Sequence, residues 1–141
     1  MTDPMINAES AEERRGKILN EITHQVIGAA MQVHSALGPG LLESAYEACL
    51  AHELRKRALK TETQIALPVR YDGIELDLGY RIDLLVETAV LIELKAIEKV
   101  LPVHKAQLLS YLRLSRLKLG LLINFHTLHL RDGITRIVND F

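Results

Sequence analysis

The sequence predicts a single α/β domain in which helices pack on a mixed β-sheet. Apolar residues recur at helical spacing in the first third of the chain, and short runs of β-branched and other apolar residues, separated by Gly and Asp turns, follow in the middle. A later amphipathic segment precedes one apolar run and an Asp-Gly hairpin signal. The predicted order is helix, helix, three strands, helix, strand and a small terminal hairpin, which favours a mixed-sheet sandwich over a doubly wound sheet.

Length and composition describe an ordinary globular chain. Its 141 residues are 48% hydrophobic and 25% charged, which suits one domain with a sizeable core. The single cysteine, Cys49, excludes an internal disulfide and a multi-cysteine zinc site. A net charge of -1 provides no broad basic field, so tight non-specific binding to nucleic acid is not expected.

The composition of the first residues predicts a leader that lies outside the core. Residues 1–16 are polar and acidic where a signal peptide needs an apolar stretch, and we expect them to be flexible. Residues 17–141 are expected to form the domain. Since no apolar run approaches the length of a membrane span, we expect a cytoplasmic protein without a membrane partner.

Two amphipathic helices are predicted at the start of the domain. The first covers residues 17–37 and ends at Gly38-Pro39-Gly40, and the second covers residues 41–58. One polar stripe of the second helix carries Glu43, Tyr46 and Glu47. Its inner face is expected to carry Leu42, Ala45, Cys49 and Leu50.

Strands and a third helix are predicted next. Residues 63–71 predict a strand that turns at Tyr71-Asp72-Gly73 and returns over residues 74–78, with a bend at Gly79. Beyond a central hairpin, Pro102 suits the first turn of a helix that reaches Ser115. The remaining elements are a buried strand over residues 118–125 and a hairpin of residues 127–131 and 134–138 around Asp132-Gly133.

The central hairpin, residues 80–87 and 89–95, carries the most informative pattern. With a short loop centred on Thr88, Asp83 falls opposite Glu93, since paired positions in an antiparallel hairpin have a constant sum. Alternation then places Asp83, Glu93 and Lys95 on one face. The other face is expected to be a continuous apolar layer of Ile82, Leu84, Val86, Val90, Ile92 and Leu94.

Carboxylates directly across a strand pair repel each other, so the polar face of this hairpin is hard to explain by packing. A hard divalent cation between Asp83 and Glu93, Mg²⁺ or Mn²⁺, would remove that repulsion. Lys95 would then orient or deprotonate a water, or stabilise charge on a phosphoryl group. A solvated charged sheet face is the structural alternative.

Histidines and the third helix offer weaker signals. On that helix His104, Gln107 and Tyr111 form one polar line, which alone is typical of a solvent-facing stripe. A histidine-based metal site is disfavoured because the members of each candidate pair are poorly spaced to share one ion. These pairs are His126 with His129, and His24 with His34.

Several motifs together resemble a known family. Gly40-Leu41-Leu42-Glu43-Ser44-Ala45-Tyr46 resembles the GxxExxY signature of a family of small, mostly bacterial proteins. The resemblance covers roughly residues 18–140 and implies membership of the PD-(D/E)xK nuclease-like superfamily. Its further segments are Leu67-Pro68-Val69, residues 81–86, residues 92–96, residues 102–112 and residues 120–125.

This resemblance implies a restriction-endonuclease-like three-layer sandwich with core order α-β-β-β-α-β, plus an N-terminal helix and a C-terminal hairpin. Glu43 resembles the acidic residue of the first core helix and Asp83 the metal-binding aspartate, while Glu93 and Lys95 resemble the (D/E)xK pair. The implied metal ligands are Asp83, Glu93, the Leu94 carbonyl and Glu43. Ile82 stands where the superfamily pattern often has proline, a departure that the superfamily tolerates.

Gln107 and Tyr111 resemble the QxxxY element of the RecB-like and lambda-exonuclease-like branch. The implied activity is Mg²⁺- or Mn²⁺-dependent phosphodiester hydrolysis, with DNA as the expected nucleic acid. The residues expected to carry catalysis are Asp83, Glu93, Lys95, Gln107 and Tyr111. Arg81 and His104 are candidate phosphate contacts, and Gly40, Glu43 and Tyr46 are the motif residues.

The alternative is a nuclease fold with negligible cleavage that serves as a nucleic-acid-binding or self-assembling scaffold. Near-neutral charge and the leucines at positions 117, 119, 121 and 122 leave room for a homo-oligomer, although these leucines are also typical of a core. A domain this small carries no evident targeting module, so a separate targeting partner is a further expectation.

Overall fold

The structure is a computed structural model that describes residues 9–140. Its α-helices are α1 (Ala11–Leu37), α2 (Glu43–Lys56) and α3 (Pro102–Ser115). Its strands are β1 (Thr61–Ala66), β2 (Val69–Tyr71), β3 (Ile74–Leu76), β4 (Arg81–Val86), β5 (Val90–Lys95), β6 (Leu119–Asn124) and β7 (Ile134–Val138). A short 3₁₀ helix, Leu130–Gly133, lies before β7.

Five strands form one mixed sheet in the order β1-β4-β5-β6-β7. The β5–β6 pair is parallel and the other neighbours are antiparallel. The parallel pair requires a crossover, which α3 supplies between β5 and β6. The predicted α/β sandwich with a mixed sheet is therefore confirmed.

The two faces of the sheet are covered by different helices, which gives three layers. One apolar cluster joins α1 and α2 to the sheet, and a second joins α3 to the opposite face. The first contains Ile22, Val26, Ala29, Ala30, Val33, Tyr46, Leu50, Leu54, Leu84, Val86, Val90, Ile92, Leu94, Leu119, Leu121 and Ile123. The second contains Leu67, Ile82, Leu91, Leu108, Tyr111, Leu112 and Leu122.

Helix α1 begins earlier than expected. The Ser10 side chain accepts a hydrogen bond from the Glu13 N–H at 3.0 Å, and Glu12 and Glu13 lie in the first turn, where they favour the helix dipole. Residues 11–16 of the expected flexible leader therefore lie in α1, although none of them is buried. Residues 1–8 of that leader, and Phe141, lie outside the described residues.

The face of α2 that is buried in the core differs from the predicted inner face. Leu42 is the N-cap and is 77% exposed, whereas Tyr46 is fully buried with Leu50. Ala45 and Cys49 are only half-buried. The prediction treated the tyrosine as polar, but its hydroxyl group finds hydrogen-bond partners inside the protein, so the ring can enter the core.

The first predicted strand is two separate strands. Strand β1 ends at Ala66, and after Pro68 the chain forms β2, which pairs only with β3 in a small two-stranded ribbon. Proline lacks an amide hydrogen, so it suits this break in the ladder. Tyr71, Ile74 and Leu76 on one face of the ribbon are exposed to solvent.

The terminal hairpin is also wrong in part. Residues 127–131 form no strand, and β7 instead pairs with β6. Thr127 donates its hydroxyl hydrogen to the Asn124 carbonyl, and His34 Nε2 lies 2.8 Å from the Thr127 carbonyl oxygen, so this segment is held beside α1. A Cβ at Gly133 would clash with the backbone oxygen of Asn124, which makes glycine necessary at this approach.

Three of the leucines considered for self-association belong to the core. Leu119, Leu121 and Leu122 are buried in the sheet, and Leu117 packs against the second cluster. Within residues 9–140, no helix has the length and apolar character needed to cross a membrane.

Replacing Gly16 by alanine tests where α1 begins. The site is inside α1 and an added Cβ meets no atom within 4 Å, so Gly16→Ala is expected to raise the free energy of unfolding by about 0.5–1 kcal/mol. Urea unfolding measures this difference. In the matched control Gly38→Ala, the backbone φ of +69° should make alanine destabilising by about 1–2 kcal/mol. An unchanged stability in Gly16→Ala would place the start of the helix after residue 16.

Candidate active site

Strands β4 and β5 bring Asp83 and Glu93 together. Their ladder pairs Leu84 with Ile92 and Val86 with Val90, the register expected for a loop centred on Thr88. At the open end of the ladder, the Asp83 N–H donates to Glu93 Oε1 at 3.3 Å and the Leu94 N–H donates to Asp83 Oδ2 at 2.8 Å. Each of the two carboxylates therefore accepts a hydrogen bond from a backbone amide of the other strand.

The expected single apolar face of this hairpin does not extend to Ile82. Leu84, Val86, Val90, Ile92 and Leu94 lie in the cluster under α1 and α2, but Ile82 lies in the cluster under α3. The ladder to β5 ends at Leu84, whereas Ile82 pairs with Ile65 of β1, which packs against the same cluster under α3.

Burial makes the acid pair electrostatically costly. Glu93 is only 6% exposed, and desolvation together with the charge of Asp83 raises its pKa to about 8. Burial also raises the pKa of Asp83, with a contribution from the charge of Glu43. Without a cation, the pair therefore keeps a proton near neutral pH.

Lys95 supplies positive charge beside this pair. It follows Glu93 by two residues on β5 and pairs with Asn124 on the parallel strand β6. Its charge lowers the pKa of both Asp83 and Glu93, although burial outweighs this effect. A lysine and two carboxylates thus share one edge of the hairpin.

Helix α2 adds two more carboxylates across a cleft of about 660 Å³. Glu43 Oε1 accepts a hydrogen bond from the Ala96 N–H at 3.3 Å. Burial raises the pKa of Glu47, and the charges of Asp83 and Glu43 raise it further. The cleft is lined by Leu41, Leu42, Glu43, Ser44, Glu47, Gln64, Asp83, Leu94 and Ala96.

Tyr46 positions the start of α2 rather than lining the cleft. Its ring stacks on Phe125 with the centroids 4.4 Å apart. Its hydroxyl donates to the Gly38 carbonyl at 2.5 Å and accepts from the Leu41 N–H at 3.1 Å. Gly40, with φ of +104°, allows the turn that these bonds close. Tyr46 and the turn at Gly40 thus place Glu43 at the cleft.

Tyr111 approaches the acid pair from α3. The residue is buried, and its hydroxyl accepts a hydrogen bond from Gln107 Nε2 at 3.1 Å. Burial and then the charge of Glu93 raise its pKa, which places the hydroxyl within electrostatic range of that carboxylate. The solvent-facing position that the polar line alone would favour does not hold for Tyr111.

The two candidate phosphate contacts are engaged elsewhere. Arg81 donates to Asp77 Oδ1 at 3.4 Å and to the Tyr80 carbonyl at 2.9 Å. His104 Nδ1 accepts from the Leu101 N–H at 2.9 Å, which caps the start of α3. Both side chains therefore already have hydrogen-bond partners within the protein.

Gln64 is a cleft residue that sequence analysis missed. Its Nε2 donates to Glu47 Oε1 at 2.5 Å and to Asp83 Oδ1 at 3.3 Å. Its φ of +50° lies in the left-handed region, which costs a non-glycine residue about 1–2 kcal/mol. No local pattern distinguishes it from other polar residues of a strand, because its partners are distant in sequence.

A family model described as the PD-(D/E)XK nuclease superfamily matches residues 20–137. The chain belongs to this superfamily. Comparison with curated proteins and with solved structures gave no significant match. Membership points to a metal-dependent nuclease, because PD-(D/E)XK nucleases typically use divalent metal ions.

The acid pair of this PD-(D/E)XK protein fits a hard divalent cation. Asp83 and Glu93 provide carboxylate oxygens next to one another, and a cation between them would offset the burial that raises both pKa values and the Asp83 charge that raises the pKa of Glu93 further. In residues 9–140 no three His, Cys, Asp or Glu side chains are grouped so that they could hold a metal ion together. An open set of two carboxylates is nevertheless the kind of site at which Mg²⁺ keeps water and phosphate ligands.

The histidine-based alternative gains no support. His34 is buried and bonded to the Thr127 carbonyl, and the described part of the chain holds no histidine cluster suited to a metal. Cys49 is half-buried and packs against the core.

The pH dependence of stability tests the burial of Glu93. Its pKa is about 8 in the folded protein and near 4.5 ordinarily, so the folded state binds an additional proton between these values. Without divalent ions, the free energy of unfolding should therefore fall as the pH rises from about 4.5 to about 8. Glu93→Gln should flatten this decline and be the more stable protein at the alkaline end.

Urea unfolding in the presence of a chelator measures that decline. The exposed Glu98, in the loop after β5, provides the matched control, because Glu98→Gln should leave the slope unchanged. Equal slopes for wild type and Glu93→Gln would contradict the raised pKa.

Proposed function

We propose that this chain is a divalent-metal-dependent nuclease that hydrolyses phosphodiester bonds in nucleic acid, with DNA as the substrate. The observation that carries the proposal is the contact between Asp83, which lines the cleft, and the buried Glu93, with Lys95 two residues further along β5. Like charges in a buried site need a compensating partner, and a divalent cation bound to a phosphate substrate meets that need.

The finer family assignment that we propose is the GxxExxY family. Gly40, Glu43 and Tyr46 of its signature act together in this chain, since Tyr46 closes the turn that contains Gly40 and precedes Glu43. The Gln107 to Tyr111 hydrogen bond supports a place in the RecB-like and lambda-exonuclease-like branch.

Mg²⁺ or Mn²⁺ would be held by Asp83, Glu93 and the Leu94 carbonyl, with Glu43 completing or adding to the set. When bound, such a cation lowers the pKa of water and neutralises charge on the phosphate. Asp83 is kept in place by the Leu94 N–H, and Glu93 by the Asp83 N–H. These two hydrogen bonds orient the ligands before the cation arrives.

Lys95 and Tyr111 are the groups that would act on water and phosphate directly. The ammonium group of Lys95 donates hydrogen bonds and offsets the negative charge that grows during phosphoryl transfer. The Tyr111 hydroxyl accepts from Gln107 and lies within electrostatic range of Glu93, so its hydrogen would be donated to a phosphate oxygen or to the Glu93 carboxylate. His104 retains Nε2 for a phosphate contact, whereas Arg81 would first have to leave Asp77.

Metal titration separates the ligands from the residues that act on the phosphate. Calorimetry with Mn²⁺ and Mg²⁺ should show binding to the wild type that is lost in Asp83→Ala and Glu93→Ala. Lys95→Ala should still bind the ion but lose cleavage of labelled DNA by about 100-fold or more. Glu98→Ala, an exposed carboxylate outside the cleft, provides the matched control.

Two results would count against this function. Unchanged metal binding in Asp83→Ala would remove the proposed ligand set. Equal cleavage by Lys95→Ala and wild type would remove the proposed role of the lysine. Labelled RNA, tested on the same samples, decides whether DNA is the correct substrate.

A second candidate is a self-assembling scaffold that has lost cleavage. The exposed apolar face of the β2–β3 ribbon favours it, because a two-stranded ribbon gains little stability alone. Tyr71 pairs with Ile74 on that face, and Arg70 pairs with Glu75 on the other. A separate targeting partner would also bind to this exposed apolar face.

Light scattering after size exclusion tests self-assembly. The molar mass of an oligomer, measured by light scattering, should be a multiple of 15.8 kDa. The double substitution Tyr71→Ser with Ile74→Ser should convert the oligomer to the monomer. Arg70→Ser changes the opposite face of the same strand and should leave the mass unchanged. A monomeric wild type at high concentration would rule out the homo-oligomer.

A further inference from the structure

Gln64 interrupts the pairing of β1 with β4 without shifting it. Thr63 pairs with Leu84 and Ile65 with Ile82, so Gln64 lies across from Asp83, but this position is not paired. The φ of Gln64 is +50° at this interruption. A register that continues on both sides shows that the turned backbone is confined to this one position.

The turned backbone delivers the carboxamide into the cleft. Nε2 lies 2.5 Å from Glu47 Oε1 and 3.3 Å from Asp83 Oδ1. One amide group thus bridges a carboxylate of α2 and a carboxylate of β4, and it carries two donor hydrogens for these two acceptors. Gln64 also lines the cleft with both of them.

Gln64 completes the hydrogen bonding of the Asp83 carboxylate. Oδ2 accepts from the Leu94 N–H at 2.8 Å, and Oδ1 accepts from Gln64. With one donor on each oxygen, the plane of the carboxylate cannot rotate freely. Removing the amide would leave Oδ1 without this donor and would let Glu47 approach Asp83 without a group between them.

We propose that Gln64 is a positioning residue of the cleft, which fixes the orientation of Asp83 and separates it from Glu47. The inference rests on the proposed function in so far as Asp83 is a metal ligand. Strained backbone is retained where the surrounding structure holds it for a purpose, and the strain at Gln64 coincides with its contact to Asp83.

Two substitutions separate positioning from stability. Gln64→Ala removes the amide and keeps the unfavourable φ, whereas Gln64→Gly removes the amide and relieves it. Gln64→Gly should therefore unfold at a higher urea concentration than Gln64→Ala. Thr63→Ala, at the exposed neighbouring position of β1, provides the matched control.

Two measurements on these proteins test the proposal. Calorimetry with Mn²⁺ alone should show affinity weakened by about tenfold or more in both Gln64 variants, whatever their stability, and unchanged in Thr63→Ala. Without metal, hydrogen exchange of the Leu94 amide should be faster by about tenfold in both variants, because its acceptor is no longer held.

The amide measurement keeps the two proposals distinct. A wild type that binds no Mn²⁺ would overturn the nuclease function, and the Leu94 amide would still report on Gln64. Unchanged Leu94 exchange in both variants would overturn the positioning role. Mn²⁺ affinity within about twofold of wild type in both variants would overturn it as well.

Discussion

The contact between Asp83 and Glu93 is the constraint on which the rest of the cleft depends. Two carboxylates lie side by side with Glu93 almost fully buried, and the fold provides neutral donors rather than a salt bridge to hold them. Burial is imposed by helices on both sides of the sheet, since α2 covers one approach and Tyr111 of α3 the other. The electrostatic cost of burying two neighbouring carboxylates is therefore a consequence of the three-layer architecture.

The sheet also fixes what surrounds the pair. Parallel pairing of β5 with β6 places Lys95 beside Asn124. The Asn124 side chain then donates to the Ile97 carbonyl at 2.8 Å and accepts from the Ile97 N–H at 3.1 Å. These bonds hold the chain where it leaves β5, directly after Lys95 and next to the Ala96 N–H that Glu43 binds. Strand, loop and helix are thus joined at one edge.

Features governed by local rules could be predicted from the sequence. The register of Leu84 with Ile92 follows from the length of the loop, and Pro102 marks the start of α3. Features decided by distant contacts could not. Helical spacing groups Tyr46 with Glu43 and Glu47, because nothing local reveals its stacking on Phe125, and Gln64 meets partners from two other elements.

The terminal segment was missed for a related physical reason. An Asp-Gly pair favours a local hairpin, but contacts of Thr127 with α1 and with the end of β6 compete with it. The capping of α1 by Ser10 is a local signal, but the polar, acidic composition of residues 1–16 favours a leader instead. The hairpin spacing therefore predicts that Asp83 and Glu93 are neighbours, but not the side chains that hold them in place.

The locality of the central hairpin has a consequence for the order of folding. Asp83 and Glu93 are separated by a short loop, so the hairpin is expected to form on about the microsecond scale, while both acids are still hydrated and repel weakly. The repulsion grows only when α2 and α3, which are distant in sequence, dock on the sheet. Its cost is therefore expected to fall mainly on the unfolding rate, so neutralising the pair would prolong the lifetime of the native state more than it would hasten folding.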